Sequence, residues 1–124
     1  MRAISIAKPN QGTINEDAVK ATTGFIAVSD GAGGGGIYAD KWSAYLVDHL
    51  PALPILTFAE LDAWVESIWE PFYNDCEAMA KAAGGMVLNK FYDEGSFATL
   101  AAIWYSSNVC HWMAYGDSVA FCYN

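Results

Sequence analysis

From Gly95 to Gly116 the chain runs 22 residues without a formal charge, and few architectures can absorb such a stretch. It is long enough to cross a bilayer. However, Ser106-Ser107-Asn108 breaks its middle with turn chemistry, and both halves are rich in aromatic and β-branched residues. Two buried strands joined by a hairpin explain it better, so the membrane reading is rejected. Hydrophobic residues make up 54% of the 124 residues and charged ones only 16%, against about 25% charged in an ordinary soluble domain. A chain this apolar either buries both faces of its sheet or presents a surface meant for a partner.

The whole chain, 1–124, fits one small domain. Arg2 to Ala7 alternates and predicts a first strand, followed by turn chemistry from Lys8 to Gly12. Ala18 to Ala21 and Phe25 to Ser29 predict two strands around a tight Thr22-Thr23-Gly24 connection. Asp30 to Gly36 is a glycine-rich loop. Helical spacing starts near Tyr38, with Trp42, Leu46 and Leu50 on one stripe, and Pro51 and Pro54 end it. Thr57-Phe58-Ala59-Glu60 has the form of a capping box. It opens a second helix that buries Leu61, Trp64, Val65 and Ile68. Pro71 either kinks that helix or starts another, and Gly84-Gly85 stops it. Strands return at Ser96 to Tyr105, Val109 to Tyr115 and Val119 to Tyr123. The order is strands, long helices, strands.

Charge narrows the function. With 14 acidic and 6 basic residues the net charge is −8, which leaves no basic footprint for a phosphate backbone and argues against nucleic acid. An acidic balance suits a site that gathers divalent cations. Cys76, Cys110 and Cys122 show no CxxC spacing, so zinc is not expected; they read as reduced, buried thiols. The first residues carry no apolar signal-peptide core. Together these predict a cytoplasmic protein. His49 and His111 stand alone and read as packed or surface histidines. Trp42, Trp64 and Trp69 are expected to pack helices against a sheet.

Three acidic motifs recur at strand ends. Asn15-Glu16-Asp17-Ala18 precedes a strand. Ser29-Asp30-Gly31-Ala32-Gly33-Gly34 delivers an aspartate from an apolar strand into a glycine loop. Tyr115-Gly116-Asp117-Ser118 again sets an acid beside glycine. Between the last two, Gly95-Ser96-Phe97-Ala98-Thr99 opens a buried strand. Mg²⁺ and Mn²⁺ prefer carboxylate, carbonyl and water oxygens. Acids on strand ends are held by a rigid sheet, and glycines let a bulky phosphate approach. Two such ions about 3.5–4 Å apart can activate a shared water for displacement at phosphorus.

This motif series resembles that of type 2C, metal-dependent serine/threonine protein phosphatases, from about Lys8 to the C-terminus, and it covers the front half of the family's catalytic domain. The resemblance implies an α+β fold, a four-layer α-β-β-α sandwich with its metal cluster between two sheets. It implies that Asp30 bridges two Mn²⁺ or Mg²⁺ ions and that the Gly31 carbonyl is a ligand to one. Glu16 and Asp17 would hold metal-bound waters, and Asp117 would match the acid that binds a third ion in some members. A bridging hydroxide would attack phosphoserine or phosphothreonine in a phosphoprotein substrate. The helix pair from Tyr38 to Ala83 corresponds to the family's two long antiparallel helices.

The chain departs from the family in three places. Gly12 stands where the family has an arginine that grips the substrate phosphate, and neither Lys8 nor Gln11 is a bidentate fork. Val119 replaces a second arginine. The later metal-site aspartates lie beyond Asn124, so this stretch alone is expected to bind metal poorly or not at all and to be inactive. It is also expected to self-associate through an exposed apolar sheet edge. Two other readings remain open. One is a non-catalytic pseudo-phosphatase or protein-binding module. The other is a dinucleotide-binding domain using Gly31 to Gly36, which satisfies G-x-G-x-x-G between a strand and a helix. Asp30 would repel the pyrophosphate there, and Asp48 falls inside a helix rather than at the end of a second strand.

Overall fold

Phe25–Asp30 forms a central strand, β2, because its alternate residues bury Phe25, Ala27 and Ser29 while Val28 and Asp30 face outward. The computed structural model describes residues 15–32 and 36–116. β1 (Asp17–Ala21) pairs antiparallel with β2 across the Thr22-Thr23-Gly24 turn. In that turn the Thr22 hydroxyl oxygen accepts from the amides of Gly24 (3.1 Å) and Phe25 (3.0 Å). β3 (Leu100–Tyr105) and β4 (Cys110–Tyr115) form the hairpin foreseen in the uncharged stretch. Their turn is closed by the Ser106 amide donating to the Val109 carbonyl (2.9 Å). The sheet order is β1-β2-β3-β4, antiparallel throughout. The strands expected at Arg2 to Ala7 and Val119 to Tyr123, and the turn at Lys8 to Gly12, lie outside the described residues.

α1 (Ala39–Asp48) and α2 (Phe58–Ala83) cover one face of this sheet. Phe25, Ala27, Leu100, Ala102 and Trp104 meet Val47, Leu50, Ile55 and Leu61 there. The Trp104 indole donates to the Pro51 carbonyl (2.8 Å). The two helices run antiparallel: Trp42 meets Phe72, the Tyr45 hydroxyl donates to the Ile68 carbonyl, and the Trp64 indole donates to the His49 carbonyl. The capping box forms with a shift. Thr57 Oγ1 accepts from the Glu60 amide (3.1 Å), but Glu60 Oε2 accepts from Leu56, one residue ahead of the cap (2.7 Å). Pro71 neither ends nor restarts α2, which continues unbroken for 26 residues. Pro71 leaves the Ser67 carbonyl, four residues back, without its helical donor; the adjacent Ile68 carbonyl accepts from the Tyr45 hydroxyl.

A third helix, α3 (Gly85–Glu94), occupies residues that the sequence left unassigned. Gly84, at φ 116°, ends α2 and starts α3 in a conformation that favours glycine. α3 folds back on α2 and buries Phe91 with Cys76 and Ala80 in a second small core.

The other sheet face is open. Residues opposite one another across the ladder share a face, so this side carries Val19, Ile26, Val28, Ile103 and Trp112. Val28 is 42% exposed and Trp112 67%. Antiparallel sheets usually place polar residues on a solvent-facing side; here the described part of that face is apolar apart from Asp17 and Asp30 at one end. Cys110, read as a buried thiol, is exposed at the start of β4. Among the described residues no helix is long and apolar enough to cross a membrane.

Candidate functional site

All four strands bring their motifs to one end of the sheet. β1 begins there, β2 ends there, β3 begins there and β4 ends there, as the antiparallel order requires. Asp17 and Asp30 are direct cross-strand partners in the β1–β2 ladder. Opposite residues have Cβ atoms about 4.5–5.5 Å apart on the same face, and like charges so placed repel. Both lie on the open face, exposed. The Asp17 amide donates to Asn15 Oδ1 (3.1 Å), an Asx-type turn that starts the strand at the acid.

Behind the two acids the backbone is tied from three directions. The Gly31 amide donates to the Glu16 carbonyl (3.1 Å), and the hydroxyl of fully buried Ser43 on α1 donates to that same carbonyl. A Cβ on Gly31 would lie 2.6 Å from the Glu16 oxygen and 2.7 Å from the Ala39 oxygen, so only glycine fits between β1 and α1. Gly31 also bridges Ala98 ahead of β3. Thr99 is the hub of the other side. Its amide donates to the Asp30 carbonyl (2.9 Å), and its hydroxyl oxygen accepts from the Asp30 amide (3.3 Å). Its carbonyl accepts from the Ser29 hydroxyl (2.6 Å). Gly116, at φ 91°, packs against it so closely that a Cβ would meet Thr99 Cγ2 at 2.6 Å. The glycine of the third motif is therefore held beside the aspartate of the second.

The sequence-derived set divides accordingly. Asp17 and Asp30 are brought together, with Glu16 and Gly31 joined through their backbones. Asp117 lies outside the described residues. Carboxylate and backbone oxygens are the donor type that Mg²⁺ and Mn²⁺ prefer. Among the described residues no group of three or more His, Cys, Asp and Glu side chains comes together. Two carboxylates and neighbouring carbonyls are what this end of the sheet offers. Ser43 and Thr99 were not foreseen as anchors of the site; a serine or threonine that bonds a distant backbone has no local sequence signature.

The dinucleotide reading fits the geometry poorly. β2, the strand before the glycine loop, is antiparallel to both neighbours, whereas the dinucleotide motif uses parallel strands. The amides of Gly31 and Ala32, which would have to face a pyrophosphate, instead donate to the carbonyls of Glu16 and Phe97.

Trp42, Trp69 and His49 make ring contacts within the helix layer. Trp42 stacks on Tyr45 and meets Phe72 between the two helices rather than against the sheet. Trp69 meets Tyr73, one turn on in α2. The His49 ring stacks on Tyr45 with its Nδ1 2.8 Å from the Tyr45 carbonyl. Burial pushes the Cys76 thiol up to about 11. Comparison with protein-family models, with curated proteins and with solved structures finds no match to this chain.

Proposed function

We propose that this chain carries part of the active site of a metal-dependent phosphatase that hydrolyses phosphoserine and phosphothreonine in proteins. The observation that carries the reading is the Asp17–Asp30 cross-strand pair at the end of the sheet where Gly31, Thr99 and Gly116 also meet. Two carboxylates directly opposite repel each other, and a divalent cation between them offsets that cost. Asp30 and the Gly31 carbonyl would hold the ion, and Glu16 and Asp17 would position its water. Asp117 is the proposed ligand to a further ion. When bound, Mn²⁺ or Mg²⁺ supplies a water nucleophile at neutral pH and neutralises phosphoryl oxygens.

The residues of this chain do the holding. The Glu16 carbonyl is fixed by Gly31 and Ser43, and the Asp30 backbone by Thr99 on both sides. The open apolar face of the sheet also supports the finer proposal of a sandwich, in which a second sheet covers Val28 and Trp112 and flanks the acids. A cytoplasmic location belongs to the same reading. The non-catalytic alternative rests on Gly12, where the phosphate-gripping arginine is replaced.

The test is Mn²⁺ binding by calorimetry, with phosphopeptide turnover measured with and without Mn²⁺, for the wild type and Asp30→Asn. The variant should keep its circular dichroism spectrum and bind Mn²⁺ more than about tenfold more weakly, since even residues that only support a metal ligand are worth 10–100-fold. Unchanged Mn²⁺ affinity in Asp30→Asn would sink the assignment. In a longer protein that supplies the remaining metal-site aspartates, bound metal without phosphopeptide turnover would favour the binding module.

A further inference from the structure

On the helix-covered side, a groove of about 440 Å³ runs between α1, the first half of α2 and the start of β3, within the size range of small-ligand and side-chain pockets. Its floor is apolar, with Trp42, Leu61 and Leu100, and Trp64 in its wall. Its rim is aromatic and bare: Phe58 is 74% exposed, and Phe97 and Tyr115 are each 56% exposed. Contiguous apolar surface with a polar border marks an interaction site more often than single exposed side chains do.

Charge decides what the groove accepts. The polar part of its lining includes Asp62 and Glu66, one turn apart on α2, and among the described residues no lysine or arginine lines it. Neither acid forms an ion pair among the described residues. Like charges at this helical spacing cost a few tenths of a kcal/mol in isolation, and the chain as a whole carries −8. An anionic ligand is repelled here, and a purely apolar one leaves the acids unanswered. An apolar side chain flanked by arginine or lysine meets both demands, because its cation can reach the acids or lie over the faces of the rim aromatics.

We propose that this groove docks a basic, apolar segment of a partner polypeptide. Its wall is continuous with the candidate site: Ala98, which lines it, bridges Gly31, and Tyr115 precedes Gly116. Asp17 and Asp30 lie at the same end of the sheet but on its opposite, open face. The docking itself is independent of any chemistry there.

The test uses a fluorescein-labelled peptide with two leucines flanked by arginines, titrated by anisotropy in the presence of EDTA so that metal plays no part. Two control peptides replace the arginines by glutamates or the leucines by serines. The first peptide should bind and both controls should not. Asp62→Asn with Glu66→Gln should weaken binding about fivefold, as expected for two exposed charge contacts. Phe58→Ala should weaken it similarly without loss of fold, since Phe58 is largely in solvent. Wild-type affinity in both variants, or equal binding of the glutamate peptide, overturns the proposal. Because metal is absent, neither result bears on the Asp30 reading.

Discussion

Gly31→Ala isolates the close approach that holds the acidic end of the sheet together. The added Cβ would lie 2.6 Å from the Glu16 oxygen and 2.7 Å from the Ala39 oxygen, short of an ordinary contact of ~3.5 Å by roughly 0.8 Å. Both obstacles are backbone atoms. Glu16 is held by the Gly31 amide and by Ser43, and Ala39 opens α1, so neither can rotate away as a side chain would. Overpacking of this kind costs about 1–3 kcal/mol, and two backbone walls place this case at about 2–3. At about 4 °C per kcal/mol for a chain of this length the melting point should fall by ~8–12 °C. Urea denaturation followed by tryptophan fluorescence measures the free energy directly. Gly24→Ala is the control, because nothing lies within 4 Å of its added Cβ; it should stay within about 0.5 kcal/mol of the wild type. If Gly31→Ala is equally silent, the close packing of β1, β2 and α1 is refuted.

Three further outcomes follow from the fold. Cys76 has a folded-state thiol pKa raised from 9.0 to about 11, first by burial; the unfolded thiol loses its proton earlier. Stability should therefore fall as pH rises from about 9 to 11, and Cys76→Ser should lose that dependence in denaturation curves taken across this range. Thr57→Ala removes the hydroxyl that accepts from Glu60 and should cost about 1 kcal/mol in the same assay; no change would mean that the cap is not formed. The open apolar face should drive association with a second copy, and Val28→Lys, near its centre, should shift sedimentation toward monomer. Identical sedimentation of the two proteins would remove that face from the interface.

Much of this architecture is legible from pattern. β2 and the β3–β4 hairpin are apolar runs bounded by turn residues, and α2 opens at the capping threonine the sequence displays. α3 is not legible, because Gly84-Gly85 reads as a terminator and here serves as a joint between two helices. Pro71 is ambiguous locally; the continuation of α2 depends on packing against α1, including the Tyr45–Ile68 bond. Cys110 was read as buried because apolar strands usually are, yet β4 turns its first residues to solvent. At the site, acids at strand ends can be read directly, and strand pairing alone sets Asp17 against Asp30. The anchors cannot. Ser43 reaches a carbonyl 27 residues away and Ser29 one 70 residues away, relations that exist only once the chain has folded.

The Glu16 carbonyl, shared by the Gly31 amide just after β2 and a hydroxyl from α1, has a dynamic consequence. It makes the first helix and the acidic strand ends a single opening unit. Amide protons of α1 should then exchange with deuterium at rates set by whatever occupies the acidic end of the sheet. Slower exchange across 43–48 on adding Mn²⁺ would report ligation through the helix that only braces it.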